Sequence, residues 1–215
     1  PRWAFEPWIS KDISDTADTY AFVDGFAERG IPVGVVVLDS PWETNYNSLV
    51  ASPQRYPNFT KLVSDLRARE VRTVLWLTPF INSRSYDFEP GGDAYFEASP
   101  NFDEANTCGF FVNGGQQYTW WKGRGGSLDF SNPAAVAWYH WQLDKLLVDQ
   151  GVSGFKLDFG ENYVRTDTVQ TFAGEVSHQA YSESYYRDFY RHGVAARGPE
   201  EFVTMVRPYD KSYEF

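Results

Sequence analysis

Apolar positions along the chain switch repeatedly between a two-residue and a helical period, and this alternation predicts the elements. The run 2–10, RWAFEPWIS, reads as a short aromatic strand. From about Asp15 to Arg29, Tyr20, Val23, Phe26 and Ala27 fall at helical spacing, and Gly30 stops the pattern. IPVGVVVLDS, at 31–40, is β-branched and predicts a second strand. Asn58 caps a helix predicted through Arg69, with Phe59, Leu62, Val63 and Leu66 as its buried stripe, so the Asn58-Phe59-Thr60 sequon reads as a cap. RTVLWLTPF, at 72–80, is the third strand. Residues 81–130, rich in Gly, Asn, Asp and aromatics, read as a long irregular stretch, a length that compact domains keep for function. Ser131 or Asn132 then caps a helix whose first turn holds Pro133 and which ends near Gly151. A strand at 154–160, a long loop, a helix near 181–196 and a fifth strand at 201–208 complete the pattern.

Strands alternating with helices predict a parallel sheet of βαβ units in an α/β fold. Asp39, Thr78, Asp158 and Arg207 stand where strands end, the face on which (β/α)8 barrels assemble their sites. An open doubly wound sheet gathers its site there too, so this pattern alone leaves both open. GRGGS, at 123–127, sits in the irregular stretch and opens no helix, so support for a dinucleotide fold is weak. Five strands in 215 residues are too few to close a barrel, and the chain reads as an incomplete (β/α)8 TIM barrel of about its first five β/α units.

The fourth strand, GVSGFKLDFGE, is the unusual one. Side chains alternate across a strand, so Lys156 and Asp158 share one face while Phe155, Leu157 and Phe159 share the other. A cation and a carboxylate on a face that parallel sheets normally bury demand a purpose. The carboxylate could serve as nucleophile, general acid–base or metal ligand. Asp39 and Glu161 could join it around a metal, but a lysine beside them competes with the cation. That lysine instead orients Asp158 and favours its anionic form, which suits a nucleophile.

Composition narrows the chemistry. Aromatic residues make up 18% of the chain, with eight Trp, and their faces suit both a core and the apolar faces of sugars. A net charge of −10 without a basic run argues against nucleic acid. Cys108 is the sole cysteine, which excludes an internal disulfide and a cysteine-based zinc site. His140, His178 and His192 show no metal-ligand spacing, so neither metal nor cofactor is expected. No apolar run reaches a membrane span, and no signal peptide is read in a chain that opens on Pro1 rather than Met. A soluble protein is expected, cytoplasmic or secreted.

Four segments carry a resemblance. GVSGFKLDFGE resembles the nucleophile segment of glycoside hydrolase family 31, retaining α-glycosidases built on a (β/α)8 barrel. FVDGFAERGIPVGVVVLDSPW resembles the family's second-strand segment, YPNFTKLVSDLRAREVRTVLWLTPFI the helix and strand that follow, and LDFSNPAAVAWYHWQLDKLLVDQGV the helix leading into the nucleophile strand. The resemblance implies that Asp158 attacks the anomeric carbon and that Asp39 holds hydroxyls of the cleaved sugar. It also implies Lys156 and Arg207 as polar partners of that sugar and Trp76, Trp121 and Trp8 as aromatic walls. Of the adjacent Trp120 and Trp121, Trp121 is expected to face the pocket. The family's general acid–base lies on a loop expected beyond Phe215, Asp210 matches no motif, and the family's flanking β-sandwich domains are expected outside this segment. The DFGE ending, 158–161, resembles the α-xylosidase and α-galactosidase branch, while α-glucosides and transglycosylation stay open. A non-catalytic carbohydrate-binding relative, or another barrel hydrolase or lyase using Asp158 as a base, are the alternatives.

Overall fold

A computed structural model describes residues 1–86, 95–160, 164 and 166–207; Glu161 and Asp210 lie outside them. Five parallel strands form the central sheet: β1 (Trp8–Lys11), β2 (Val35–Leu38), β3 (Arg72–Leu77), β7 (Gly154–Leu157) and β10 (Val203–Val206), neighbours in that order. Between them run α1 (Thr16–Ala27), α2 (Phe59–Ala68), α4 (Pro133–Asp144, continued by a π-helical turn, Lys145–Asp149) and α5 (His178–Arg197). Each strand pairs with the one before it in the series, which is how a barrel begins. Residues 2–5 form a 3-10 turn rather than part of the first strand, because Pro7 cannot donate to a ladder and pairing begins at Trp8.

The register separates two faces. Ile9, Val36, Leu38, Leu75, Leu77, Phe155 and Leu157 point outward into one apolar layer with Val23 of α1, Phe59, Leu62 and Leu66 of α2, Leu143 of α4 and Phe189 of α5. Each such fully buried side chain contributes roughly 1.5–3 kcal/mol relative to exposure. The inner face carries Ser10 level with Val37 and, two residues further along, Trp76 level with Lys156 and Met205. The caps are as expected: Asn58 Oδ1 accepts from Lys61 N at 3.2 Å, and Asn132 Oδ1 from Ala134 N at 3.0 Å.

The described residues of the stretch 81–130 are not irregular. Strands β4 (Phe80–Ser85), β5 (Gln117–Trp120) and β6 (Gly123–Ser127) form an antiparallel sheet in the order β4-β6-β5, beside α3 (Phe102–Thr107). GRGGS is therefore the central strand β6, not a loop. Glycine disguises it: a Cβ on Gly125 would sit 2.2 Å from Ile81 O, and one on Gly126 2.5 Å from the Phe111 ring, so only a bare backbone fits. A second aromatic cluster, including Trp76, Phe159, Phe80, Tyr118 and Trp120, ties this sheet to the ends of β3 and β7. Val169 of the hairpin β8 (Thr168–Thr171) and β9 (Gly174–Ser177) joins it.

Helices α4 and α5 are cross-linked by two histidines. His140 Nε2 meets Asp188 Oδ2 and His192 Nε2 meets Asp144 Oδ1, both at 2.8 Å, with the imidazoles stacked 3.7 Å apart. Burial, then the neighbouring His140, push His192 below its ordinary 6.5 despite Asp144 and Asp188. The unfolded chain therefore takes the proton first, so this contribution to stability is present above pH 6.5 and is lost as pH falls below it. The melting midpoint should drop between pH 7 and about 5.5, and His192→Gln should flatten that part of the profile. An unchanged slope in the variant would show that the pair does not set it.

Candidate active site

The carboxyl ends of β2, β3, β7 and β10 bring two buried carboxylates to one face. Asp39 follows β2, and its Oδ2 accepts from Lys156 Nζ at 2.6 Å and from Ser10 Oγ at 3.4 Å. Its Oδ1 accepts from Ser40 N at 2.9 Å. Asp158 follows β7 and is 4% exposed. Its Oδ1 meets Arg207 Nε at 2.6 Å and Phe159 N at 3.2 Å, and its Oδ2 accepts from the indole N–H of Trp76 at 3.0 Å. Each carboxylate thus has one cation and further donors, an arrangement that stabilises the anion and fixes its direction.

The pairing differs from the sequence expectation. Lys156 is the partner of Asp39, not of Asp158, whose cation is Arg207. The register explains this. Lys156 lies level with Trp76 and one residue short of the strand's end, so its long side chain crosses β3 to the end of β2, while Asp158 stands level with Arg207. Spacing along one strand could not reveal cross-strand partners.

The tryptophans separate. Trp76 is buried, stacked on Trp120 at 6.3 Å and 14°, so it acts on the site through its N–H rather than as a free platform. Trp120 also donates to Asn82 Oδ1 at 2.8 Å and is enclosed. Trp121, half-buried on the β5–β6 turn, stands edge-on to Phe159 with Lys122 Nζ 4.1 Å from its ring centroid. Trp8 is not brought to the carboxylates. It starts β1 level with Val35, four residues before Asp39, about 13 Å lower along the sheet. There it stacks on Trp3 and lines, with Ser10, Val37 and Lys156, a hollow of about 120 Å³ below the site. A hollow of about 150 Å³ borders Asp158, Lys156 and Arg207 directly. A larger hollow, about 400 Å³, lies away from this chemistry, between α1 and the residues entering β2.

Phe159 has φ of 57°, a left-handed conformation that a bulky side chain adopts at a cost of roughly 1–2 kcal/mol. Arg207 over its ring at 4.9 Å and the edges of Trp120 and Trp121 hold it there. Gly160 follows tightly: an added Cβ would lie 2.6 Å from Tyr185, and Ser182 Oγ donates to its carbonyl at 2.7 Å. Helix α5 therefore fixes the chain just past Asp158. The loop after β2 is built on Glu43, whose carboxylate accepts from Leu49 N at 2.7 Å and Asn47 N at 3.0 Å, while burial pushes its pKa up to about 8. Asn47 in turn donates to Thr78 Oγ1 at 2.8 Å, so Thr78 anchors this loop. Ser10, Glu43 and Asn47 escaped the sequence reading because no motif or period marks them. Among the described residues no three His, Cys, Asp or Glu converge as a metal site, and no helix is long and apolar enough to cross a membrane.

Residues 1–208 match the glycosyl hydrolases family 31 TIM-barrel domain. The chain belongs to glycoside hydrolase family 31. It is 29% identical to alpha-xylosidase XylQ of Lactiplantibacillus pentosus over 96% of its own length and 27% of that protein's. It is 26% identical to an alpha-xylosidase of Emericella nidulans over 75% of this chain and 20% of that one. The chain thus spans about a quarter of the length of the curated relatives it matches. Among solved structures, the family 31 dextranase of Flavobacterium johnsoniae complexed with glucose superposes with a TM-score of 0.80 at 21% identity, covering 96% of this chain and 26% of that one. A soil-metagenome family 31 alpha-xylosidase complexed with xylose gives 0.75 at 18%, over 95% and 29%. These likenesses establish the fold: the five parallel strands are part of a TIM barrel.

Proposed function

We propose that this family 31 segment forms the N-terminal part of the catalytic barrel of a retaining α-glycosidase that removes terminal α-linked sugars, with Asp158 as nucleophile. The observation that carries the reading is the geometry of Asp158: a buried carboxylate at a strand's carboxyl end, held by Arg207, the Trp76 indole and Phe159 N, beside a hollow. A carboxylate so fixed can attack an anomeric carbon and form a glycosyl ester, which water then hydrolyses. Its position also favours the developing positive charge of an oxocarbenium-like transition state. Asp39, paired with Lys156, accepts sugar hydroxyls, and Lys156 and Arg207 donate to them; Trp121 supplies an aromatic wall. The acid that protonates the leaving oxygen is proposed to come from outside these residues.

Among α-xylosides, α-galactosides and α-glucosides, the first are favoured. The DFGE ending supports this, as do the two alpha-xylosidases among the relatives. The test is labelling of the full-length protein with 5-fluoro α-glycosyl fluorides, whose fluoride departs without protonation. A pentosyl-sized mass on the peptide holding Asp158, formed fastest with the xylosyl reagent, is the expected result. No adduct on folded, full-length protein would favour a binding protein or an enzyme that uses Asp158 as a base.

A further inference from the structure

The opposite end of the sheet holds a charge arrangement that the carboxylate site does not use. Arg67 in the last turn of α2, Arg72 at the start of β3 and Arg197 at the end of α5 gather around Glu201, in the turn before β10. Arg67 Nη2 pairs with Glu201 Oε2, and Arg72 Nη2 lies 3.9 Å from Oε1. Among the described residues, three guanidinium groups thus face one carboxylate and leave a surplus of two positive charges, in a chain whose net charge is −10. Arginine stays protonated in proteins, so the surplus cannot be relieved by losing a proton.

The donors are also in excess. Arg67 Nη1, Arg72 Nε and Arg197 Nε are buried and meet no acceptor among the described residues. A buried donor left unsatisfied is costly, more so on a charged group. Burial, then the charges of Arg67 and Arg72, pull Arg197 below its ordinary value. Burial alone would raise the Glu201 carboxyl, but the Arg67 hydrogen bond and the three guanidinium charges outweigh it and hold it low. The cluster is reachable from solvent: the side chains of Arg67 and Arg72 are 37% and 19% exposed. Trp3 forms one wall, with Arg72 5.8 Å from its ring centroid and its own indole N–H fixed on Glu200 O at 2.8 Å.

We propose that Arg67, Arg72 and Arg197 bind a small, doubly charged oxyanion of the phosphate or sulfate class, at a site about 20 Å along the sheet from Asp158. Such an anion matches the surplus charge, and its tetrahedral oxygens can accept from guanidinium groups arriving from three elements. Glu201 then sets the affinity, since its carboxylate competes for two of the three arginines.

The test is calorimetric titration of the full chain with inorganic phosphate and with sulfate, against chloride at matched ionic strength, supported by melting curves. Saturable binding of phosphate and sulfate at millimolar concentration or below is expected, with none for chloride. Arg197→Gln should abolish the saturable component, while Glu201→Gln, which frees Arg67 and Arg72, should tighten binding about fivefold. If Arg197→Gln does not fold, the gain in Glu201→Gln decides. Sulfate stabilises proteins generally through exclusion from their surfaces, but that response does not saturate. A non-saturating response equal in wild type and variants, or weaker binding in Glu201→Gln, would overturn the proposal.

Discussion

Asp158→Asn is expected to lower turnover of an activated aryl α-xyloside by at least about 10⁴-fold, because an amide oxygen is too poor a nucleophile to form the glycosyl ester. The fold should survive the change. Asn keeps one oxygen, which can accept from either the Trp76 indole or Phe159 N, so one of these two donors keeps its acceptor and the cost is that of a single unsatisfied donor, about 1–3 kcal/mol. The lost ion pair is with Arg207, whose side chain is 54% exposed, and half-exposed pairs contribute about 1 kcal/mol or less. Removing a buried carboxylate from a functional site can even raise stability. The melting midpoint of the full-length protein should therefore stay within a few degrees of wild type. Substantial residual turnover in a well-folded variant would remove Asp158 as nucleophile, and a collapse of the melting midpoint would recast it as a structural residue.

How far this site could be read in the sequence depended on which interactions leave a periodic trace. The five strands and four large helices did, because each buries a stripe at period two or 3.6, and Asn58, Pro133 and Gly30 mark helix ends through side-chain and backbone chemistry of their own. Asp158 stood out for the same reason, since a carboxylate breaks an apolar period. Partners did not. Which cation faces which carboxylate follows from register between strands 117 residues apart in sequence, as for Lys156 and Asp39, and no local pattern encodes register. Strand β6 was hidden because its glycines, the residues that allow Ile81 and Phe111 to approach, are those most depleted in strands. Trp8 misled because an aromatic on a strand reads alike at either end of a barrel, and only the sheet's direction shows that it lies at the amino end. The tryptophan that does bear on the carboxylate, Trp76, does so through one N–H, a feature of orientation that composition does not carry.

Lys156→Met should be the more damaging change to stability, because it separates the two possible partners of the lysine. If Lys156 serves Asp39, as the 2.6 Å contact indicates, the variant leaves a carboxylate that is 8% exposed with only Ser10 and Ser40 N for support. A buried charge stripped of its partner costs several kcal/mol; with the lysine partly open to solvent, about 2 kcal/mol is expected. For a chain of this length that is a fall of roughly 4–8 °C in the melting midpoint. Adding Asp39→Asn should recover most of the loss, because two neutral groups in that site need no countercharge, and the cycle should give a coupling of about 1–2 kcal/mol. The parallel cycle with Asp158→Asn should give less than about 0.5 kcal/mol, the value for groups that do not share partners. The reverse ranking would return Lys156 to Asp158. Sugar binding sharpens the distinction: if the pair presents Asp39 to substrate hydroxyls, Lys156→Met should raise KM for the aryl α-xyloside more than it lowers kcat, since the contact is made to the bound sugar and not to the breaking bond.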